Sequence, residues 1–234
     1  MAGYFNEAGF AAVLPDYSDN HFQMVADALC SLAWTRANAQ EYGLDADRIV
    51  AFGFSVGGMV AATMGALDDP AAELQGCDYQ LPAQGSLVGV AVYEGVLGTP
   101  EGCFSHSWCL AGAASGTGIS LPKLQPIFET LRDTPAQDWK DVQVVGPEAR
   151  AFASKFPLYW LDGSEPPYLD IHGAGDYIPR TGSEAFARRL QEAGVSTQLV
   201  LLPNASHQSM YPDAPSFPQI AGAVVDFAEA LTGK

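Results

Sequence analysis

The fold of this chain turns on Ile49-Val50-Ala51-Phe52-Gly53-Phe54-Ser55-Val56-Gly57-Gly58, followed by Met59-Val60-Ala61-Ala62-Thr63-Met64. Ile49–Phe52 is a short apolar run with β-branched and aromatic character and reads as a buried strand. Met59–Met64 is rich in helix formers. A serine between a strand and a helix, with a glycine two residues to either side, has the pattern of a nucleophile elbow. So tight a turn excludes bulky side chains at its flanks, which accounts for the glycines. The turn lifts the Ser55 hydroxyl above the strand ends, and Ser55 is the expected nucleophile.

Upstream, Met1 to Gly9 reads as a helix tail, Phe10–Pro15 as a buried strand and Asp16–Asn20 as a polar, cap-forming loop. From His21 to Tyr42, Phe22, Val25, Ala26, Leu29, Leu32 and Ala33 recur at helical spacing, and Gly43 ends that helix. Downstream, Asp68-Asp69-Pro70 breaks the elbow helix and Leu87–Tyr93 is a strand. Pro167–His172 is a strand, Ser183–Ala193 a helix, Thr197–Leu202 a strand, and Ile220, Val224, Phe227 and Leu231 mark a closing helix. Five strands alternating with helices predict an α/β fold, a doubly wound and mainly parallel sheet. Its reacting groups belong at the carboxyl ends of the strands. One stretch breaks the alternation. Residues 95–165 hold prolines and scattered aromatics but no clear strand, and are expected to form a helical cap on a core of 1–94 and 166–234.

Bulk properties narrow the function. The chain has 234 residues, 48% of them hydrophobic and 16% charged, enough for one domain with a sizeable insertion. A formal net charge of -16 argues against nucleic acid and against anionic membrane surfaces. No apolar run approaches the ~18 residues of a membrane span. No signal peptide is visible, which leaves the compartment open with a slight lean toward the cytoplasm. Cys30, Cys77, Cys103 and Cys109 lack zinc-site spacing, so no metal is expected. Cys103 and Cys109 are close enough to be bridged, and free buried thiols fit equally well.

A serine hydroxyl needs a base, and the base needs an orienting acid. Of His21, His106, His172 and His207, only His207 lies in a small-residue loop directly after a strand, Pro203-Asn204-Ala205-Ser206-His207. His172 ends a strand and is expected to pack, while His21 and His106 have no supporting context. Asp176 follows another strand in the glycine-rich His172-Gly173-Ala174-Gly175-Asp176-Tyr177-Ile178-Pro179. Alone it would read as a turn residue. Together Ser55, Asp176 and His207 keep the chain order Ser, Asp, His, each just past its own strand. Glu94, directly after Tyr93, is the fallback acid.

These stretches, with Leu14-Pro15-Asp16-Tyr17, Asp45-Ala46-Asp47-Arg48-Ile49 and Pro166-Pro167, make the chain similar to the α/β-hydrolases of the carboxylesterase and hormone-sensitive-lipase-like group, close to bacterial and feruloyl-esterase-type members. The resemblance spans nearly everything except roughly 95–150. It implies a serine esterase working through an acyl-serine intermediate, with no metal and no organic cofactor. The reading adds small to medium carboxylic esters, aromatic ones included, as substrates. A hydrolase-like binding protein with weak catalysis, or a peptidase or lactonase, are the alternatives.

One departure stands out. The family's His-Gly-Gly-Gly-type loop, which supplies oxyanion donors, is missing, and the chain begins at about the helix that should follow it. Either Phe10–Pro15 pairs directly with Ile49–Phe54, the favoured arrangement, or another chain covers the gap, for which a homodimer would serve. With that pairing, Val56 N–H and an amide of Asp16 or Tyr17 would form the oxyanion hole. Phe54, Tyr17, Trp108, Trp160 and Ile178 are the candidate substrate contacts.

Overall fold

A computed structural model describes every residue except 22, 75, 83–85 and 234, so the helical position expected for Phe22 lies outside the described residues. Its sheet has four parallel strands in the order β1-β2-β3-β4. These are β1 (Val50–Phe54), β2 (Gly89–Tyr93), β3 (Tyr168–Gly173) and β4 (Thr197–Leu202). Strands β2 and β3 are buried at every position; β2 reads as a continuous apolar run, while β3 carries Asp170 and His172 into the interior.

Helices cover both faces. On one side α2 (Met24–Asn38), α3 (Val56–Ala66), α4 (Ser107–Thr117), α5 (Leu121–Asp133), α6 (Val142–Ala153) and α7 (Arg180–Glu192) enclose the larger core with Val90, Val92 and Tyr168. On the other, α8 (Phe217–Thr232) sets Ile220, Val224 and Phe227 against Ala91, Tyr93, Leu169 and Ile171, with Phe5 of α1 (Ala2–Glu7) beside them. Residues between β2 and β3 are helical and pack through the aromatic cluster of Phe104, Phe128, Trp139, Phe152 and Phe156. No helix among the described residues is long and apolar enough to cross a membrane.

Phe10–Pro15 is not a strand. Leu14 is 79% exposed and Val13 42%, so burial gives this apolar run nothing in return for extending. Phe10 N–H instead returns to Phe5 O, and the stretch leads into a loop tied to α2 by the Ser18 amide and hydroxyl, both donating to Asp27. Among the described residues nothing pairs with the outer edge of β1. The expected sheet of five strands is therefore one of four.

All four cysteines are bridged, Cys30 to Cys77 and Cys103 to Cys109. The first pair was not foreseen, because its partners stand 47 residues apart in the chain.

Candidate functional site

Each strand delivers one polar side chain at its carboxyl end: Ser55 after β1, Glu94 after β2, Asp176 after β3 and His207 after β4. Parallel pairing in close register brings these four ends together. Ser55 sits at φ 58°, ψ -123°, a conformation that side chains avoid unless their surroundings enforce it. Its N–H donates to Tyr93 O at 3.0 Å, and its carbonyl accepts from Gly58, Met59 and Val96.

The flanking glycines differ in their reasons. A Cβ on Gly53 would lie 2.0 Å from Gly57 O, and one on Gly58 would lie 2.9 Å from the Val92 side chain. A Cβ on Gly57 would meet only the Tyr17 hydroxyl, at 3.9 Å. Steric need thus falls on Gly53 and Gly58, while Gly57 keeps open the space beneath Tyr17.

His207 Nδ1 lies 3.0 Å from Asp176 Oδ2, with the Asp176 side chain fully buried and His207 18% exposed. The other oxygen of Asp176 accepts from Ile178 N–H at 2.8 Å. The imidazole lies between two rings, Phe54 with centroids 4.5 Å away and Tyr177 at 4.7 Å. Its Nε2 faces the Tyr177 hydroxyl at 3.3 Å. Burial pushes the Tyr177 phenol up, and the nearby Ser55 opposes that push. Tyr177 was missed as a site residue, although it sits inside the quoted glycine-rich stretch beside Asp176.

The remaining candidates scatter. Val56 opens α3, where the first-turn amides have no acceptor inside the helix. Asp16 and Tyr17 lie in exposed, irregular backbone, and it is the Tyr17 hydroxyl that reaches the first turn of α3. Trp108 meets Tyr177 edge-on at 6.1 Å, and its ring N–H has no partner among the described residues. Ile178 is buried and its carbonyl faces His172, so its part is in the loop wall. Trp160 meets Tyr159 edge-on and donates to Ser154 O, with no contact to the Ser55 group among those described. Glu94, the fallback acid, pairs with His172 rather than with His207.

A cavity of about 290 Å³ opens beside His207, lined by Phe54, Gln208, Met210 and Tyr211. A somewhat larger groove of about 330 Å³ lies between Lys140, Tyr159 and Arg189, away from every residue at the strand ends, so size does not mark the site here. Among the described residues no group of histidine, cysteine and carboxylate side chains is arranged to hold a metal ion.

A strained serine at a strand-to-helix turn, a carboxyl–imidazole pair after later strands and a parallel sheet between helices define one architecture. The fold is that of a shortened α/β-hydrolase. The model of the BD-FAE family matches residues 1–88. Among curated proteins, the chain is 26% identical over 217 residues to esterase LipQ of Mycobacterium tuberculosis, covering 90% of this chain and 44% of that one. It is also 26% identical over 186 residues to esterase LipC of the same organism, covering 78% and 40%. The chain thus spans under half the length of these curated relatives. Among solved structures, a truncated carbohydrate esterase from gut microbiota superposes with a TM-score of 0.73 at 19% identity, over all of this chain and 78% of that one. The butyrate-bound esterase Est2 of Thermogutta terrifontis gives 0.59 at 23% identity, over 89% and 65%. Esterase 2 of that organism phosphonylated by sarin gives 0.61 at 22% identity, over 90% and 67%.

Proposed function

We propose that the chain is a serine carboxylesterase in which Ser55, His207 and Asp176 act together. The observation that carries the reading is the Asp176–His207 bond of 3.0 Å at the same end of the sheet as a serine held at φ 58°. Ser55 Oγ attacks the ester carbonyl carbon while its proton passes to His207 Nε2. Asp176 holds the imidazolium through Nδ1–H. Collapse of the tetrahedral intermediate expels the alcohol, which takes the proton from Nε2. Water then enters by the same route and releases the acid from Ser55.

The negative oxygen of the intermediate faces Val56 N–H, and the second donor is the Tyr17 hydroxyl rather than a loop amide, because the hydroxyl is what overhangs α3. Removing it as Tyr17→Phe is expected to lower kcat about 10²-fold with little change in KM. Equal rates in both proteins would rule that donor out. The cavity of Phe54, Met210 and Tyr211 suits small to medium acyl or alcohol groups, aromatic ones included. Two disulfides favour an oxidising compartment for the protein.

The deciding experiment is hydrolysis of p-nitrophenyl acetate and butyrate by the wild type and by Ser55→Ala, with fluorophosphonate labelling alongside. The variant is expected to lose on the order of 10⁶-fold in kcat and all labelling. Undiminished turnover in Ser55→Ala would overturn the assignment.

A further inference from the structure

Two non-glycine residues among those described have positive φ, Ser55 at 58° and Glu94 at 51°. They are neighbours across the sheet, since Phe54 pairs with Tyr93 in the β1–β2 register. The first is explained by the elbow. The second belongs to a fully buried glutamate that the proposed reaction does not use.

The polar contacts of Glu94 lead to both ends of one loop. Gly173 N–H, where the Asp176 loop begins, donates to Glu94 Oε1 at 2.5 Å. Glu94 Oε2 lies 3.0 Å from His172 Nδ1, and both side chains are almost wholly buried. His172 Nε2 lies 3.0 Å from the carbonyl of Ile178, where the loop ends. A carbonyl only accepts, so Nε2 carries the ring hydrogen and Nδ1 of the neutral ring carries a lone pair. Facing that lone pair, an ionised Glu94 would repel it. The hydrogen-bond partner of that lone pair is Ser183 Oγ at 3.2 Å, and Glu94 Oε2 meets no donor among the described residues, so a protonated Glu94 avoids placing a bare charge in this dry site.

We infer that Glu94, as a neutral acid, and His172 form a staple that closes both ends of the 173–178 loop and so positions Asp176 against His207. The inference rests on the triad reading for its effect on rate, though not for its existence. Burial pushes the Glu94 carboxyl up to about 9, with the Gly173 amide opposing and the Asp176 and Asp170 carboxylates adding to the rise. Burial also lowers His172, in keeping with a neutral ring. Around the pair stand Tyr93 on β2, Asp170 on β3, Asp176 in the loop, and Arg180 and Glu184 on α7.

Glutamine reproduces the neutral acid and keeps a carbonyl for the Gly173 amide. Glu94→Gln is therefore expected to keep kcat within about threefold, whereas Glu94→Ala, which leaves the loop unheld, loses about 10²-fold in kcat with KM little changed. The wild type should lose activity above about pH 9, and Glu94→Gln should not. A second readout needs no activity. Between the ordinary carboxyl value of 4.5 and about 9, the folded chain holds a proton that the unfolded chain releases, so rising pH lowers wild-type stability across that window. The melting temperature of Glu94→Gln minus that of wild type should widen from pH 4.5 to 9 and then level off. A loss of rate in Glu94→Gln as deep as in Glu94→Ala would overturn the inference, as would full activity in Glu94→Ala. Were the wild type to hydrolyse no ester, the esterase reading would fail, and a flat melting difference would still be needed to sink the staple.

Discussion

Two histidine–carboxyl pairs occupy this end of the sheet at the same separation, with Nδ1 to oxygen 3.0 Å in each. They differ in what lies on the far side of the ring. His207 turns Nε2 toward the Tyr177 hydroxyl and the open cavity, a partner able to give or take a hydrogen. His172 turns Nε2 onto the Ile178 carbonyl, which can only accept. That one contact reverses the proton in the pair. At His207 the ring donates to the aspartate and leaves Nε2 free to work as a base, while at His172 the ring hydrogen is locked on Nε2 and Nδ1 turns its lone pair toward Ser183 Oγ beside the glutamate. A distance alone therefore does not separate a pair whose ring can act as a base from one whose ring cannot.

The same chemical change should break one pair and spare the other. Asp176→Asn is expected to lower kcat about 10⁴-fold, because an amide can turn its N–H to Nδ1 and hold the wrong tautomer. Glu94→Gln, also an acid-to-amide change, should leave kcat nearly intact, and parallel losses in steady-state assays would erase the contrast. Stability should rank the pairs the other way. His172→Ala removes the ring that pairs with the Ile178 carbonyl and the Ser183 hydroxyl in a dry site and is expected to cost about 3 kcal/mol in urea unfolding. His207→Ala, at a partly exposed ring, should stay within about 1 kcal/mol. Smallest of all, Tyr177→Phe removes the hydroxyl facing Nε2 from a side chain 60% exposed and free to swing away. Its kcat is expected within about threefold of wild type, since Ser55 can then meet Nε2 directly, and a drop of 10²-fold or more would make that hydroxyl part of the proton path.

Much of this was legible residue by residue. Ile49–Phe54, Leu87–Tyr93 and Thr197–Leu202 are apolar runs too short for helices and bounded by turn residues, and each contains or matches a strand of the sheet. Phe10–Pro15 has the same composition and is no strand, because composition reports what a segment could bury and not whether a ladder partner stands beside it. Ser55, Asp176 and His207 announced themselves through glycine-rich or small-residue loops after strands. Tyr177 and the Glu94–His172 pair did not, since a tyrosine in a loop and a glutamate after a strand are ordinary in sequence and acquire meaning only from their neighbours.

By itself, then, the sequence determined the alternation of strands and helices, the elbow at Ser55 and the order in which candidate groups reach the strand ends. These are local matters of periodicity, chain stiffness and turn chemistry. Only the tertiary structure decided that the sheet has four strands, that Cys30 meets Cys77, that Tyr177 covers His207, and which nitrogen of each histidine carries its hydrogen. Each of those depends on contacts between residues distant in the chain, and a hydrogen's position is settled by the one acceptor that can take no other role.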